Sequence, residues 1–285
     1  MLMLGGMGIS AGGFLLASKL FQVPEFARFG GSLLTERSPV ISLLVVAVTL
    51  MASVLVSTLI AGTVRFDAGL LCGLLGMSVL SLRSGTMGDV LRQSALGGPS
   101  IFVHSALELA MLYVLVAVAW SVLWGMHTSG FLKADEFRDG VEDTDEPLPF
   151  KASALAMQVG VMALVMMLLG QTDAKAQMLA AVGISAFLGA CAAYYMYPIS
   201  PSPWLWVGPM VVGIVGYALA YFSIGAGEEW KTGRLAFSLA PLSRALPLDY
   251  ATAGPAGAIL GYWMSRKWHR QRLDESTTAE SAEPT

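Results

Sequence analysis

Charge is what this sequence has least of. Only 13% of its 285 residues are Asp, Glu, Lys or Arg, about half of the roughly 25% an average soluble domain carries. The shortage is also local, since Ala176 to Gly227 runs 52 residues without an Asp, Glu, Lys, Arg or His. A soluble domain could not solvate its surface with that distribution, which excludes a soluble enzyme and a disordered chain. Basic residues are not in excess, 17 against 20 acidic, so the chain has no basic field for nucleic acid. Cysteine and histidine are scarce too, at two and three residues. Cys72 and Cys191 sit in separate apolar runs without a CxxC pair or a Cys/His cluster, so neither a disulfide framework nor a metal site is expected. No cofactor is expected.

What is abundant is apolar. Hydrophobic residues make up 55% of the chain and mean hydropathy is +0.65. The expected class is all-α, a polytopic transmembrane helical bundle, because backbone groups in lipid must be satisfied within their own segment. A hydrocarbon core of about 30 Å needs roughly 20 apolar residues in a helix. Candidate spans are Met1–Phe21, Val40–Val64, Ala68–Leu82, Ile101–Met126, Ala152–Gly170, Gln177–Tyr197, Trp204–Gly225 and Ala245–Ser265. The third is short. The first lacks the positive n-region of a secretory leader and is taken as a retained segment. Pro198, Pro201 and Pro203 break the long uncharged run, and Tyr194, Tyr195, Tyr197, Trp204 and Trp206 flank the break as an interfacial aromatic belt would. The chain divides into N-terminal membrane helices (1–126), an acidic hydrophilic linker (127–151), C-terminal membrane helices (152–265) and a basic, then disordered polar tail (266–285).

The last segment decides the topology. If it does not cross, Arg65, Lys133, Arg138 and Lys151 lie on one side and the other 13 of the 17 basic residues on the opposite side. If it crosses, Arg266, Lys267, Arg270 and Arg272 change sides and the balance becomes 9 to 8. The positive-inside rule favours the first case. It gives about seven spans, an outside N-terminus, a cytoplasmic C-terminus and a segment 245–265 that is re-entrant, packed within protein or interfacial. Eight full spans are the alternative. With no retention or transit signal, the expected location is a plasma membrane, by default a bacterial cytoplasmic membrane.

Few residues inside the spans can carry chemistry. His104 and Glu108 stand at i and i+4 on one helix face, and a carboxylate inside a membrane must be paired, protonated or facing water. They are the candidate proton or ion relay. Asp249 is a candidate cavity residue or helix cap. Gly8 and Gly12, Ala181-Ser185-Gly189-Ala193 and Ala253-Gly257-Gly261 place small residues four apart, the spacing that lets membrane helices pack closely or associate. The linker carries seven carboxylates, among them Asp143 and Asp145, and reads as a solvated loop. Gly8-Ile-Ser-Ala-Gly12 matches a serine-hydrolase elbow only in letters, since its strand–turn–helix context and its Asp and His partners are missing. Two functions follow from these residues. The first is a non-catalytic membrane subunit or scaffold that packs through small-residue helix faces against a copy of itself or a membrane-protein partner. The second is a small permease or channel-like transporter using Glu108 and His104. An intramembrane enzyme lacks a complete catalytic set.

Overall fold

The structure is a computed structural model, and it describes residues 1–18, 32–34, 39–61, 65, 67–93, 99–130, 147–199, 204–223 and 239–282. Among these residues it is all helical. The helices are α1 (Leu2–Ala17), α2 (Pro39–Ala61), α3 (Ala68–Arg83), α4 (Met87–Gln93), α5 (Ser100–Thr128), α6 (Leu148–Leu169), α7 (Lys175–Met196), α8 (Trp204–Ser223), α9 (Pro241–Arg244) and α10 (Pro247–Ala282). Five of them, α2, α5, α6, α7 and α8, are long and apolar enough to cross a membrane. The helices α1 and α3 are apolar but shorter, at 16 residues each, or about 24 Å.

Side-chain contacts show how the helices run. The Cys72 thiol at the start of α3 donates to the Met3 carbonyl at the start of α1. The Arg83 guanidinium at its end donates to the Ser18 hydroxyl at the end of α1. So α1 and α3 run parallel and in contact, with α2 antiparallel against both, Ser57 meeting Ser10 at 2.9 Å and Val54 and Leu50 lying over Gly73. The N- and C-terminal halves are not separate units. Ser81 meets Asp249, Tyr113 meets Tyr250 and Trp120 stacks edge-on against Trp206 with centroids 4.2 Å apart.

The largest departure from expectation is the last segment. Asp249 in the first turn of α10 lies at Ser81 near the end of α3 and at Lys175 at the start of α7. Fourteen residues on, Trp263 donates its indole N–H to Asp67 at the start of α3, and Tyr262 packs on Tyr194 near the end of α7. The helix therefore runs the full height of the bundle, antiparallel to α3 and parallel to α7. Met3 and Trp263 lie at the same end of α3, so the start of α1 and the outer part of α10 share one end of the bundle. Eight helices thus run lengthwise among the described residues, five of them long and apolar enough to cross a membrane; the last segment lies along the bundle, as in the eight-span alternative.

The physical reason is burial. Every residue from Ala245 to Ile259 is buried, as is nearly all of α3. A helix enclosed by other helices need not be apolar enough for lipid, nor long enough to match it, so Asp249, Thr252 and two prolines are tolerated in α10. Its small residues set its distance from α7. A Cβ on Gly257 would strike the Gly183 carbonyl and one on Gly261 the Phe187 carbonyl. The helix also continues through the polar tail to Ala282, where the sequence reading expects disorder. Extending an existing helix needs no new nucleus. Of the linker, residues 131–146 lie outside the described residues, and with them all seven carboxylates.

Two local features come directly from residue chemistry. Thr86 and Asp89 form a reciprocal capping box at the start of α4, the Thr86 N–H donating to Asp89 Oδ2 at 2.9 Å and the Asp89 N–H to Thr86 Oγ1 at 3.3 Å. Pro209 inside α8 has no N–H, which orphans the carbonyl of Leu205 four residues earlier. The buried Gln158 of α6 supplies the missing donor, its Nε2–H donating to Leu205 at 2.6 Å.

Candidate functional site

Sequence reasoning singles out three ionisable residues, and the structure gives each a different set of partners. His104 and Glu108 do not meet. His104 is exposed, and its Nδ1–H donates to the Ser100 carbonyl at 2.8 Å, one turn back on its own helix. Glu108 is 1% exposed. Its Oε2 accepts the Ser32 hydroxyl at 2.5 Å and the Leu34 N–H at 3.4 Å. Its Oε1 is buried without a hydrogen-bond partner among the described residues. His104 stands one turn into α5 on an exposed stretch, whereas Glu108 is one turn deeper, under Ser32–Leu34. The carboxylate is thus an acceptor that ties those three residues to α5.

Asp249 is the better-connected group. The break between α9 and α10 makes Leu246 the N-cap and Pro247 the first residue of α10. Asp249 is then the third helical residue, and its Oδ2 accepts the Leu246 N–H at 2.9 Å, the carboxylate half of a capping box. The sequence reading anticipates a cap; the acceptor stands three residues inside the helix rather than before it. Oδ1 accepts the Ser81 hydroxyl and forms an ion pair with Lys175 Nζ at 2.7 Å. Asp249 is 1% exposed and Lys175 13%. Three helix ends, those of α3, α7 and α10, are joined at one carboxylate.

Around it the hydroxyls of three buried tyrosines close the polar account. A helix as short as α9 satisfies few of its own carbonyls. Tyr250 donates to the Leu242 carbonyl at 2.7 Å and Tyr217 to the Ala245 carbonyl at 2.7 Å. Tyr113 donates to the Tyr250 carbonyl at 3.2 Å. Arg244 reaches outward to cap the end of α6, its Nη1–H donating to the Gln171 carbonyl at 2.6 Å. Sequence reasoning missed Lys175, Ser81, Gln158 and the tyrosines. Only Gln158 had a readable signal, because a proline within an apolar helix calls for a donor from elsewhere. Chemically the Asp249 cluster can hold helices together. Its oxygens face protein donors, and among the described residues no three His, Cys, Asp or Glu side chains come together as a metal site.

The small-residue positions divide. Gly257 and Gly261 face α7, whose Ser185 is buried. Gly189 faces the other way, onto the Gln158 carbonyl and the Met162 side chain of α6. Among the described residues, a Cβ on Gly8 or Gly12 would meet nothing within 4 Å. In α1 the inward face is Gly6, Ser10 and Phe14 instead, two residues out of step with Gly8 and Gly12. Comparison with family models, with curated proteins and with solved structures gave no match.

Proposed function

We propose that this chain is a non-catalytic, multi-pass membrane subunit that packs laterally against a second membrane helix, from another copy or a different protein. We take the eight lengthwise helices as passes through a plasma membrane, by default a bacterial one. The Arg266–Arg272 cluster favours a cytoplasmic C-terminus, and α1 then begins on the same face. The observation that carries the reading is the contrast among small residues. Those of α3, α7, α8 and α10 are filled by neighbouring helices, whereas among the described residues nothing lies within 4 Å of a Cβ on Gly5, Gly8 or Gly12 of α1, a row of three bordered by the exposed Leu4 and Ile9, where α5 and α6 have a single such glycine each. Open glycines four apart let another helix backbone approach closely.

The test is Gly8→Leu/Gly12→Leu in the full chain. Association in mild detergent, read by light scattering and cross-linking, should be lost while the unfolding temperature stays within about 1 °C or rises, since leucine is the better helix former. A strict monomer in the parent chain, with no copurifying partner, would sink the subunit reading.

The second reading is a small permease or channel-like transporter working through Glu108. Its support is the buried Oε1, which has no hydrogen-bond partner among the described residues, because an intramembrane carboxylate usually marks an ion or proton path. His104 is turned away and takes no part. In proteoliposomes Glu108→Gln should abolish cation or proton flux with the fold intact. Equal flux in parent and variant removes this reading.

A further inference from the structure

We infer that the end of the bundle where α10 emerges holds a site for one anionic phospholipid. The site rests on the membrane placement above, and not on the subunit role. A cavity of about 610 Å³ opens there, with Arg65, Arg266, Lys267 and Arg270 among its lining residues, a volume typical of small-molecule sites. Arg266 is only 7% exposed. Its Nε and the Nη2 of Arg270 are buried and have no hydrogen-bond partner among the described residues. Buried donors of fixed positive charge call for an acceptor anion. The nearby Asp67 carboxylate is engaged by the Trp263 indole N–H at 2.8 Å, while the Arg65 guanidinium lies over the Trp263 ring, 4.7 Å from its centroid.

The cavity is also amphiphilic in the right direction. Leu260 and Met264 line it about two turns and one turn before the middle of Arg266–Arg270 and are exposed on the outer face of α10. Acyl chains against these residues, with the phosphodiester against the arginines, match the order of apolar core and headgroup along a membrane normal. Even with the Asp67 carboxylate beside them, four cations leave the cluster net positive, and a zwitterionic headgroup would bring in a further ammonium, so the ligand is a net anionic lipid.

The experiment uses the full chain, delipidated in a neutral maltoside detergent. Unfolding temperature is followed while dioleoyl phosphatidylglycerol, dioleoyl phosphatidylcholine or inorganic phosphate is added. Phosphatidylglycerol should raise it by about 5 °C at saturation, and the other two should not. Each basic residue at an anionic surface is worth about fivefold in affinity. Lys267→Gln should therefore weaken the titration about fivefold and Arg266→Gln/Arg270→Gln about 30-fold. Arg83→Gln/Arg272→Gln, which removes two charges outside the cavity, should leave it unchanged. Lys267 is exposed, so its variant carries the test even if the double arginine variant does not fold. An equal response to phosphatidylcholine overturns the site. So does a full response to inorganic phosphate alone, which makes it a soluble-anion site. Equal weakening by Arg83→Gln/Arg272→Gln overturns it too, since that is diffuse surface attraction. These readouts are independent of the association assay on Gly8 and Gly12, so either proposal can fail alone.

Discussion

Replacing Lys175 with Met is expected to destabilise the protein by about 3–5 kcal/mol, the usual cost of stripping one partner from a buried ion pair. The substitution leaves the Asp249 carboxylate, 1% exposed, with the Ser81 hydroxyl and the Leu246 N–H but without a counter-charge. Asp249→Asn should cost less. The Lys175 nitrogen is buried in the intact pair, but its side chain retains 13% exposure and can swing toward water once released, and the asparagine oxygen can still accept from Leu246. The double variant Lys175→Met/Asp249→Asn should be more stable than Lys175→Met alone, because no buried charge is left behind. Tryptophan-monitored unfolding in detergent gives all four corners of the cycle. If the two single effects simply add, the pair is not coupled and does not join α7 to α10.

Gly257→Ala/Gly261→Ala should be the most damaging conservative change in the chain. Each new methyl points at a backbone carbonyl of α7, Gly183 for the first and Phe187 for the second. A carbonyl cannot rotate away as a side-chain tip can, so the two helices must separate. Overpacking of this kind costs typically 1–3 kcal/mol per site. Separation also loosens the contacts above and below, including the Asp249–Lys175 pair at one end and Tyr262 on Tyr194 at the other. A loss of about 3–6 kcal/mol is expected for the double change. Gly8→Ala/Gly12→Ala is the matched control, with the same chemistry on a helix where nothing lies within 4 Å. It should gain up to about 1 kcal/mol per site from helix propensity alone. Equal effects of the two double changes would mean that α7 and α10 do not pack as described.

The helices themselves were largely legible. Val40–Val64 was expected and Pro39–Ala61 is observed; Ile101–Met126 was expected and Ser100–Thr128 is observed. Uncharged runs bounded by proline or charge mark such segments whatever surrounds them. The candidate sites were less so. His104 and Glu108 share a face by spacing, yet burial separates them, because a helix face that starts at the edge of a bundle changes surroundings within one turn. Gly8 and Gly12 fit a contact motif, yet α1 turns Gly6 and Ser10 inward. A helix face four residues wide admits either choice, and the shape of Cys72, Ser57 and Gly76 opposite decides it. Lys175 gave no signal at all, since its partner lies 74 residues away in sequence.

By itself the sequence determined that this chain is built of apolar helices compatible with a membrane, because charge depletion and run length act locally and need no partner. Which helices lie inside was decided only by tertiary structure. By composition α10 is the least apolar of the lengthwise helices, and by position it is among the most enclosed. The two facts agree once α3 and α7 are seen to cover it. A helix surrounded by protein is selected for close contact, so small residues, a cap and one paired charge serve it better than leucines. Helix–helix distance, set by Gly257 and Gly261 against two carbonyls, is a property of two surfaces together, and no single stretch of sequence contains it.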